Sequence, residues 1–389
     1  MSLYKRDRQS RRNRPISADF PFAPGFSPAA SITGSRQDML KSISTTLVAL
    51  LIAAIGGTSF YFLHLPLPWT LGAITAAAIT AVMEKPYLVP AKVRNSVRPV
   101  IGVLIGSSFN PNLVASIGTW WPVVLVVISY SIILMILGYF FFRRVAKFDQ
   151  PTAFFASAPG GLGELSLLGG ALGGDVRRLV IVHLIRILAV IFVVPIVLQI
   201  YVGHPIGRIS PLDAHTAYLT LRDWLVLGLC ACLGYWISTF FKFPAATMLC
   251  PMVLSMLVHV TGITQAAPPP WLVAGVQVAL GAVIGARFSG IRLGEIHKVF
   301  LVAVTWASVM LVAAGLAAFC GAWLLGRSFE SVLLATAPAG MVEMSLLTFG
   351  LGIDVAFVIT CQLSRVLFVL LFTPFVFRML GVPPAEPKI

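Results

Sequence analysis

The sequence predicts an all-α integral membrane protein made of two inverted repeats of about five transmembrane helices each, with one broken or re-entrant helical segment per repeat. Three observations predict this fold. Apolar residues make up 58% of the 389 residues and charged residues only 11%. The second half of the chain repeats the first, and the basic loops change parity between the halves. A soluble domain has about 25% charged residues, so a soluble enzyme, a secreted disulfide scaffold and a disordered chain are excluded.

The charge balance points to the membrane as the first partner. The chain has 28 Lys and Arg residues against 14 Asp and Glu residues, a net charge of +14. This excess would favour nucleic acid in a soluble protein, but in a membrane protein it marks cytoplasmic loops. We therefore expect the lipid bilayer and a small-molecule or ion substrate as partners, and no nucleic acid. The sequence leaves the oligomeric state open.

The chain begins with a basic segment and continues as a series of apolar segments. Residues 1–37 lack periodicity and predict a disordered basic arm that could contact anionic lipids. A first membrane repeat at 38–203, a linker at 204–221, a second membrane repeat at 222–380 and a tail at 381–389 are expected to follow. The apolar segments fall at 43–63, 67–83, 97–109, 117–142, 151–173, 176–201, 222–241, 245–260, 271–288, 297–325, 331–353 and 354–380. A helix of about 20 residues crosses ~30 Å of hydrocarbon.

The internal repeat is clearest when the chain is shifted by 179 residues. Residues 158–195 and 337–374 then share 16 identities in 38 positions without a gap. Composition alone would give roughly three, so the chain contains a duplication.

Basic loops follow the second and fourth apolar elements of the first repeat, but the first and third elements of the second repeat. Because Lys and Arg of short loops stay in the cytoplasm, the repeats are expected to be antiparallel, with an odd number of spans each. One of the six apolar elements in each repeat must then be re-entrant, or a pair of broken helices must cross. The protein is predicted to lie in the bacterial cytoplasmic (inner) membrane with both termini in the cytoplasm.

The interrupted segments carry the candidate binding site. Pro159, Gly160 and Gly161 break the first segment, and Pro338 and Gly340 break the second. Backbone groups left without helical partners are costly in hydrocarbon, so such a break survives only against protein or a wet cavity. Exposed N–H groups of the following turn can bind a substrate or coupling ion. A tight crossing of two helices that needs small residues is the alternative.

Each break is followed by an intramembrane carboxyl group, Glu164 in the first repeat and Glu343 in the second. Such carboxyl groups are costly and usually line an ion or substrate path. Ser166 and Ser345 follow two residues later, and their hydroxyls could bind a cation or substrate or bond back to the helix backbone.

One arginine lies near the middle of the last apolar segment of each repeat. Arg186 and Arg365 follow Asp175 and Asp354 by eleven residues, about 16 Å along a helix. An unpaired guanidinium at that depth is implausible, so each arginine is expected to meet a carboxylate in an internal Glu–Arg pair or an anionic substrate. The two aspartates are expected to cap helices.

His183 and Gln362 are the remaining polar residues of the candidate binding site. His183 aligns with Gln362, one turn before the arginines, and both are expected to line the same polar stripe. The six histidines are scattered and no ligand cluster is present in the sequence, so no metal and no cofactor is predicted. Gln277 lies in an apolar run with no assignable role.

The paired blocks APGG-x-x-E-x-S-L and APAG-x-x-E-x-S-L, each followed by G-x-D-V and a helix containing Arg, resemble the bacterial AbrB-duplication membrane family. The resemblance covers residues 40–380. It implies kinship with inverted-repeat transporters, and it makes Glu164, Glu343, Asp175, Asp354, Arg186 and Arg365 the family-like polar positions. Members are labelled as regulators or as ammonia monooxygenases. The extra glycines of the first block indicate that the two halves are not equivalent.

Three functions follow from this reading. The first is a secondary transporter of a small, anionic solute coupled to H⁺ or Na⁺. The second is a membrane-embedded regulator of gene expression that does not transport. The third and weakest is a membrane oxidase of the ammonia monooxygenase kind, which would need metal ligands that the scattered histidines do not supply. The protein is therefore predicted not to be an enzyme.

Overall fold

The fold is seen in a computed structural model that describes residues 36–83, 89–109, 111, 117–203, 219–241, 246–289, 293–351 and 353–379. Nearly all of the predicted arm (1–37), most of the linker (204–221) and the tail (381–389) lie outside the described residues. The regular secondary structure of the described residues is helical throughout. The predicted all-α class is therefore confirmed.

Each repeat contributes seven α-helices to the described part of the chain. The first repeat has α1 (Arg36–Phe62), α2 (Pro68–Val82), α3 (Ala91–Gly106), α4 (Trp121–Arg144), α5 (Gln150–Ser157), α6 (Leu162–Ala171) and α7 (Val176–Val202). The second has α8 (Leu221–Ser238), α9 (Ala246–Val260), α10 (Pro270–Gly285), α11 (Leu293–Leu325), α12 (Phe329–Thr336), α13 (Met341–Leu351) and α14 (Val355–Met379). Short 3₁₀ turns precede α4 at Ile117–Thr119 and follow α10 at Ala286–Phe288.

The helix bounds follow the repeat found in the sequence. Helix α5 covers residues 150–157 and α12 covers 329–336, so both bounds differ by 179. The same difference separates α3 from α10. The duplicated unit is therefore the whole set of seven helices, and α1 to α7 correspond in order to α8 to α14.

The equivalent helices α4 and α11 run in opposite directions. The Tyr130 hydroxyl donates a hydrogen bond of 3.2 Å to the Met310 carbonyl. About three turns further along α4, the Phe141 ring stacks on Trp306 at a centroid distance of 5.4 Å. Residue numbers thus rise along α4 and fall along α11. Since the two helices hold the same place in the repeat, this antiparallel course is the one that inverted repeats require.

The repeats are joined by exchanged helix pairs in which α2 packs on α10 and α3 packs on α9. Glycines allow the close approach. A Cβ atom on Gly281 of α10 would lie 2.9 Å from the Thr70 carbonyl oxygen, and one on Gly285 would lie 3.0 Å from the Ile74 carbonyl oxygen. In the other pair, a Cβ on Gly102 would collide with the Met248 carbonyl oxygen. Backbones in such contact leave no room for larger side chains.

The outer faces of the helices are apolar, as expected of a protein in lipid. Leu47, Leu51 and Ile55 form a stripe on α1 and are 56%, 62% and 66% exposed. On α11 the stripe ends at Trp323, which is 85% exposed. Exposed apolar area of this extent marks membrane contact. Seven of the described helices are long and apolar enough to cross a membrane, while α2 and α9 are shorter at 15 residues each.

The hydrogen bond between Tyr130 and Met310 should make a measurable contribution to the stability of the protein. Replacing Tyr130 with phenylalanine removes a buried hydrogen bond between the repeats, which costs about 1 kcal/mol of stability. Thermal unfolding of the detergent-purified protein would show the loss as a lower melting temperature. Tyr235→Phe on the exposed face of α8 is the matched control and should leave the melting temperature unchanged. Equal melting temperatures for both variants would contradict a contribution of this bond to the antiparallel packing.

Candidate functional site

Each interrupted segment is a pair of short helices separated by a proline. In the first repeat, α5 ends at Ser157, and α6 begins only at Leu162. Pro159 lacks a backbone N–H and disfavours the α conformation of the residue before it, and Ala158 is accordingly extended with ψ of 126°. Residues 158–161 form the first tip and residues 337–340, with Pro338, form the second. The predicted break is present in both repeats.

The first segment folds back on itself as a re-entrant hairpin. The Asp175 N–H, just after α6, donates a 2.7 Å hydrogen bond to the hydroxyl of Thr152 in the first turn of α5. Nearer the tip, a Cβ on Gly169 of α6 would lie 3.1 Å from the Cβ of Phe155 on α5. The two arms are therefore antiparallel. This segment therefore does not adopt the alternative arrangement, in which two broken helices cross.

The second segment has the same form. The Arg327 guanidinium, just before α12, lies 5.0 Å from the centroid of the Phe357 ring in the first turn of α14. Helix α13 ends at Leu351, directly before α14 begins. Both ends of the segment thus lie at the start of α14, and the segment between them is a second re-entrant hairpin.

The two hairpins enter from opposite ends of the molecule. Phe154 and Phe155 of the first hairpin pack on Phe377 near the end of α14, at centroid distances of 5.3 and 5.2 Å. The second hairpin enters at the other end of α14. The first tip reaches the middle of that helix, since a Cβ on Gly160 would lie 3.0 Å from Cγ1 of Val369.

Arginines hold both tips by their backbone carbonyls. Arg186 donates from Nη1 to the Ala158 carbonyl at 2.9 Å and from Nη2 to the Gly160 carbonyl. Arg365 donates to the carbonyls of Thr336, Ala337 and Ala339 at 3.2, 2.7 and 3.2 Å. These carbonyls lie at the end of each incoming arm and in the tip that follows, beyond the regular i+4 hydrogen bonds of a helix. Positive charge there also complements the negative end of the helix dipole.

The hydrogen bonds of these two arginines therefore go to neutral groups and not to a glutamate, as the expected Glu–Arg pair would require. Arg186 and Arg365 are 2% and 1% exposed, and their hydrogen-bond partners among the described residues are carbonyls and the Gln362 amide oxygen. A carbonyl carries no formal charge, so the guanidinium groups keep a net positive charge at the centre. Each arginine is the eleventh residue of its helix, roughly 15 Å from the helix start.

His183 and Gln362 lie beside the arginines, as expected from their alignment. The Gln362 amide nitrogen donates to the carbonyls of Leu334 and Ala337 at 2.6 and 3.2 Å. His183 is fully buried on α7, and neither of its ring nitrogens has a hydrogen-bond partner among the described residues. Gln362 thus lines the incoming arm of the second hairpin, and α7, which carries His183, packs on the incoming arm of the first.

The carboxyl groups lie on the outgoing arms, at the tips. Glu164 and Glu343 are the third residues of α6 and α13 and are half-buried. Each carboxyl folds back over the glycine at the break, because a Cβ on Gly161 or Gly340 would collide with it. Ser166 and Ser345 lie two residues further along these helices and are 3% and 2% exposed. The two tips therefore present matching carboxyl groups beside the positive starts of two helices.

The aspartates cap helices, as predicted. Asp175 accepts a 3.1 Å bond from the Arg178 N–H, and Asp354 accepts a 3.0 Å bond from the Phe357 N–H. Asp175 also pairs with the Arg178 side chain at 3.1 Å. These bonds start α7 and α14 and fix the base of each hairpin.

Sequence reasoning did not single out Arg98, whose Nη1 atom lies 3.5 Å from the Thr247 hydroxyl at the start of α9. The repeat could have drawn attention to it, since Arg98 aligns with Gln277 inside α10. Among the described residues, no three His, Cys, Asp or Glu side chains are grouped to hold a metal ion.

These observations define a class: an all-α membrane protein with a duplicated sequence, seven long apolar helices and two helical hairpins that enter from opposite ends of the molecule. The sequence profile described as "Transition state regulatory protein AbrB" matches residues 69–381. The chain therefore belongs to the AbrB family. It is 26% identical over 360 residues to the uncharacterised protein YhjN of Bacillus subtilis (strain 168), covering 87% of this chain and 93% of YhjN.

A second relative comes from Escherichia coli (strain K12) and is named as a regulator, AbrB. It is 23% identical over 342 residues, covering 85% of this chain and 94% of that protein. Neither name describes an enzyme. Since both relatives match over nearly their whole length, the described fold corresponds to the whole of these proteins.

Proposed function

We propose that the protein is a secondary transporter of a small, anionic solute coupled to H⁺ or Na⁺, located in the cytoplasmic membrane with both termini in the cytoplasm. One observation carries the proposal. Two re-entrant hairpins enter from opposite ends, and arginines at equivalent mid-helix positions hold their tips. Transporters with inverted repeats place substrate and ion sites at such broken helices near the midplane.

The interruption of the helices at the two tips supports the proposal of a water-filled central cavity. At membrane depth, non-helical backbone is tolerated where it is buried in protein or lines water. Among the described residues, the Ser166 hydroxyl and the Nε atoms of Arg186 and Arg365 are buried without a hydrogen-bond partner. Such groups are costly unless water or a solute satisfies them. They lie on or beside the tips, where a transported solute would bind.

The charges favour an anion. Helices α6 and α13 direct their positive starts towards the tips, and Arg186 and Arg365 add two buried positive charges. Glu164 and Glu343 can bind a coupling proton or sodium ion. In this mechanism, rocking of one helix bundle against the other exposes the tips alternately to the two sides of the membrane.

Replacing both carboxyl groups tests the proposal. The double variant Glu164→Gln, Glu343→Gln is expected to abolish coupled uptake by the protein in liposomes, because neither tip can then bind a coupling ion. The amides keep the shape of the side chains, so the melting temperature should stay close to that of the unmodified protein. A carboxamide control away from the tips is Glu330→Gln in the first turn of α12, which should keep uptake. Uptake that persists in the double variant would remove the carboxyl groups from the mechanism.

The alternative is a membrane-embedded regulator, and the names of the family profile and of the E. coli relative favour it. The basic segment at 1–35 would then transmit the signal. Deleting it should leave uptake intact in a transporter and abolish the output of a regulator. Loss of a gene-expression response without any effect on uptake would favour the regulator.

A further inference from the structure

The base of the first hairpin carries a cluster of basic side chains. Three of them, Arg143, Arg144 and Lys147, lie at the end of α4 and in the loop that leads to the hairpin. The other two, Arg177 and Arg178, lie in the first turn of α7, directly after the hairpin. Arg178 is half-buried and the other four side chains are exposed. These five residues are called the basic cluster below.

The two parts of the basic cluster meet at Phe148, which is 4% exposed. The Phe148 carbonyl accepts a hydrogen bond of 2.8 Å from Nη1 of Arg143. The Phe148 ring lies 5.2 Å from the Arg178 guanidinium and stacks on the ring of Phe142 in α4 at a centroid distance of 5.4 Å. The end of α4 and the start of α7 are therefore held side by side, and their positive charges form one patch.

The carboxyl groups in this region do not neutralise the patch. Asp149 accepts hydrogen bonds from the N–H and the hydroxyl of Thr152 at 3.1 and 2.8 Å. Asp175 caps α7 and pairs with Arg178 at 3.1 Å. Residues 143–152 and 175–178 contain five basic and two acidic side chains, which gives a net charge of +3.

The base of the second hairpin has the same aromatic contact with its partners exchanged. At the repeat offset of 179, Phe148 corresponds to Arg327, and Arg178 corresponds to Phe357. The Arg327 guanidinium lies 5.0 Å from the centroid of the Phe357 ring. One arginine and one phenylalanine are therefore sufficient for this contact at the base of a hairpin.

The remaining positive charges have no counterpart in the second repeat. The positions equivalent to the other four basic residues are uncharged: Ala322, Trp323, Gly326 and Ala356. Residues 322–331 and 354–357 contain one basic and two acidic side chains, a net charge of −1. A bias of loop charges towards the cytoplasm accounts for the sign of the difference, but it does not require the charges to converge on one residue.

Exposed apolar side chains border the basic cluster. Val145 follows Arg144 and is 66% exposed. Val176 precedes Arg177 and is 42% exposed. One turn before Arg144, the Phe140 side chain is 48% exposed, and its ring lies 5.3 Å from the Arg144 guanidinium. Such a boundary between apolar and positive surface matches the level at which acyl chains meet lipid headgroups. A soluble anion would make no use of the apolar neighbours.

We propose that the basic cluster binds the headgroup phosphate of an anionic phospholipid whose acyl chains lie against α4 and α7. Guanidinium groups bind phosphate oxygens through paired, charge-assisted hydrogen bonds. The bound lipid connects the end of α4 with the start of α7 and so stabilises the base of the first hairpin. This site is separate from the tips, and it does not depend on the proposed transport function.

The test titrates the detergent-purified, full-length protein with phosphatidylglycerol and, separately, with phosphatidylcholine, which has the phosphate but no net charge. Phosphatidylglycerol should raise the melting temperature by several degrees more than phosphatidylcholine does, because a ligand that prefers the folded state stabilises it. High salt should reduce this difference by screening the charges. Glycerol phosphate is the soluble probe, and it should leave the melting temperature unchanged at the same concentration.

Exposed members of the cluster provide the variants. Arg144→Gln with Lys147→Gln removes two positive charges and leaves both contacts of Phe148 in place. This double variant should bind phosphatidylglycerol roughly tenfold more weakly and should keep its melting temperature in the absence of added lipid. The matched control, Arg222→Gln with Arg378→Gln, removes two exposed positive charges elsewhere and should keep the affinity. Arg144→Lys with Lys147→Arg retains the charge and should also keep it.

Three results would overturn the lipid site. The first is equal stabilisation by the two phospholipids. The second is an equal loss of affinity in the double variant and in its control. The third is stabilisation by glycerol phosphate that matches stabilisation by phosphatidylglycerol, which would assign the cluster to a soluble anion. Should the double variant fail to fold, Arg144→Gln and Lys147→Gln are titrated singly, each with an expected loss of roughly threefold. Uptake is measured separately, so failure of this site leaves the transport proposal standing.

Discussion

Replacing Arg365 with methionine is expected to lower the free energy of unfolding by about 3–5 kcal/mol. The guanidinium donates to three buried carbonyls of the second tip, those of Thr336, Ala337 and Ala339. Methionine fills much of the same volume but donates nothing, so the carbonyls of Thr336 and Ala339 lose this donor inside the protein, while that of Ala337 keeps the Gln362 amide and the Ala339 N–H. The melting temperature of the purified protein would fall accordingly.

Two comparisons sharpen this prediction. Arg186→Met should cost less, because Arg186 donates to two carbonyls, those of Ala158 and Gly160. Arg378→Met at the exposed end of α14 should change the stability by no more than about 0.5 kcal/mol. An unaltered melting temperature for Arg365→Met would show that the tip does not depend on the arginine.

The second large effect is expected at the crossing of α2 and α10. Gly281→Leu places a side chain where a Cβ alone would lie 2.9 Å from the Thr70 carbonyl oxygen and 3.0 Å from the Ile74 nitrogen. Both are backbone atoms of a packed helix and cannot move aside individually. Overpacking of this kind costs about 1–3 kcal/mol or more, and here it would force the two repeats apart.

The control lies on the same helix. Gly275 has no atom within 4 Å of a Cβ built on it, and it is exposed. Leucine also has a higher helix propensity than glycine, by roughly 0.8–1 kcal/mol, so Gly275→Leu should keep or raise the melting temperature. Similar losses for Gly281→Leu and Gly275→Leu would mean that the close approach of α2 and α10 is not needed for folding.

The sequence was sufficient to predict the duplicated architecture. Residues 158–195 and 337–374 match well enough to set the offset of 179, and the helix bounds follow that offset. Pro159 and Pro338 located the breaks, since a missing N–H has a direct structural effect. Asp175 and Asp354 were predicted to cap helices because a cap bonds only to its neighbours in sequence, and they do.

The hydrogen-bond partners of Arg186 and Arg365 could not be predicted from the sequence. Spacing along a helix gives the depth of a residue but not the direction of its side chain. Every residue has a carbonyl, so no sequence pattern marks the carbonyls of residues 158 and 337 as acceptors. Their availability depends on the hairpin fold, in which each incoming arm ends beside α7 or α14.

The exchanged packing of α2 with α10 and α3 with α9 bears on how such a chain could arise. Each half alone would leave its glycine-lined surface without a complementary surface. A primitive polypeptide of one half could have covered that surface only by dimerising with an upside-down copy of itself. Such a polypeptide had to insert in both orientations, and fusion of two genes then allowed each copy to acquire its own charge bias and its own chemistry.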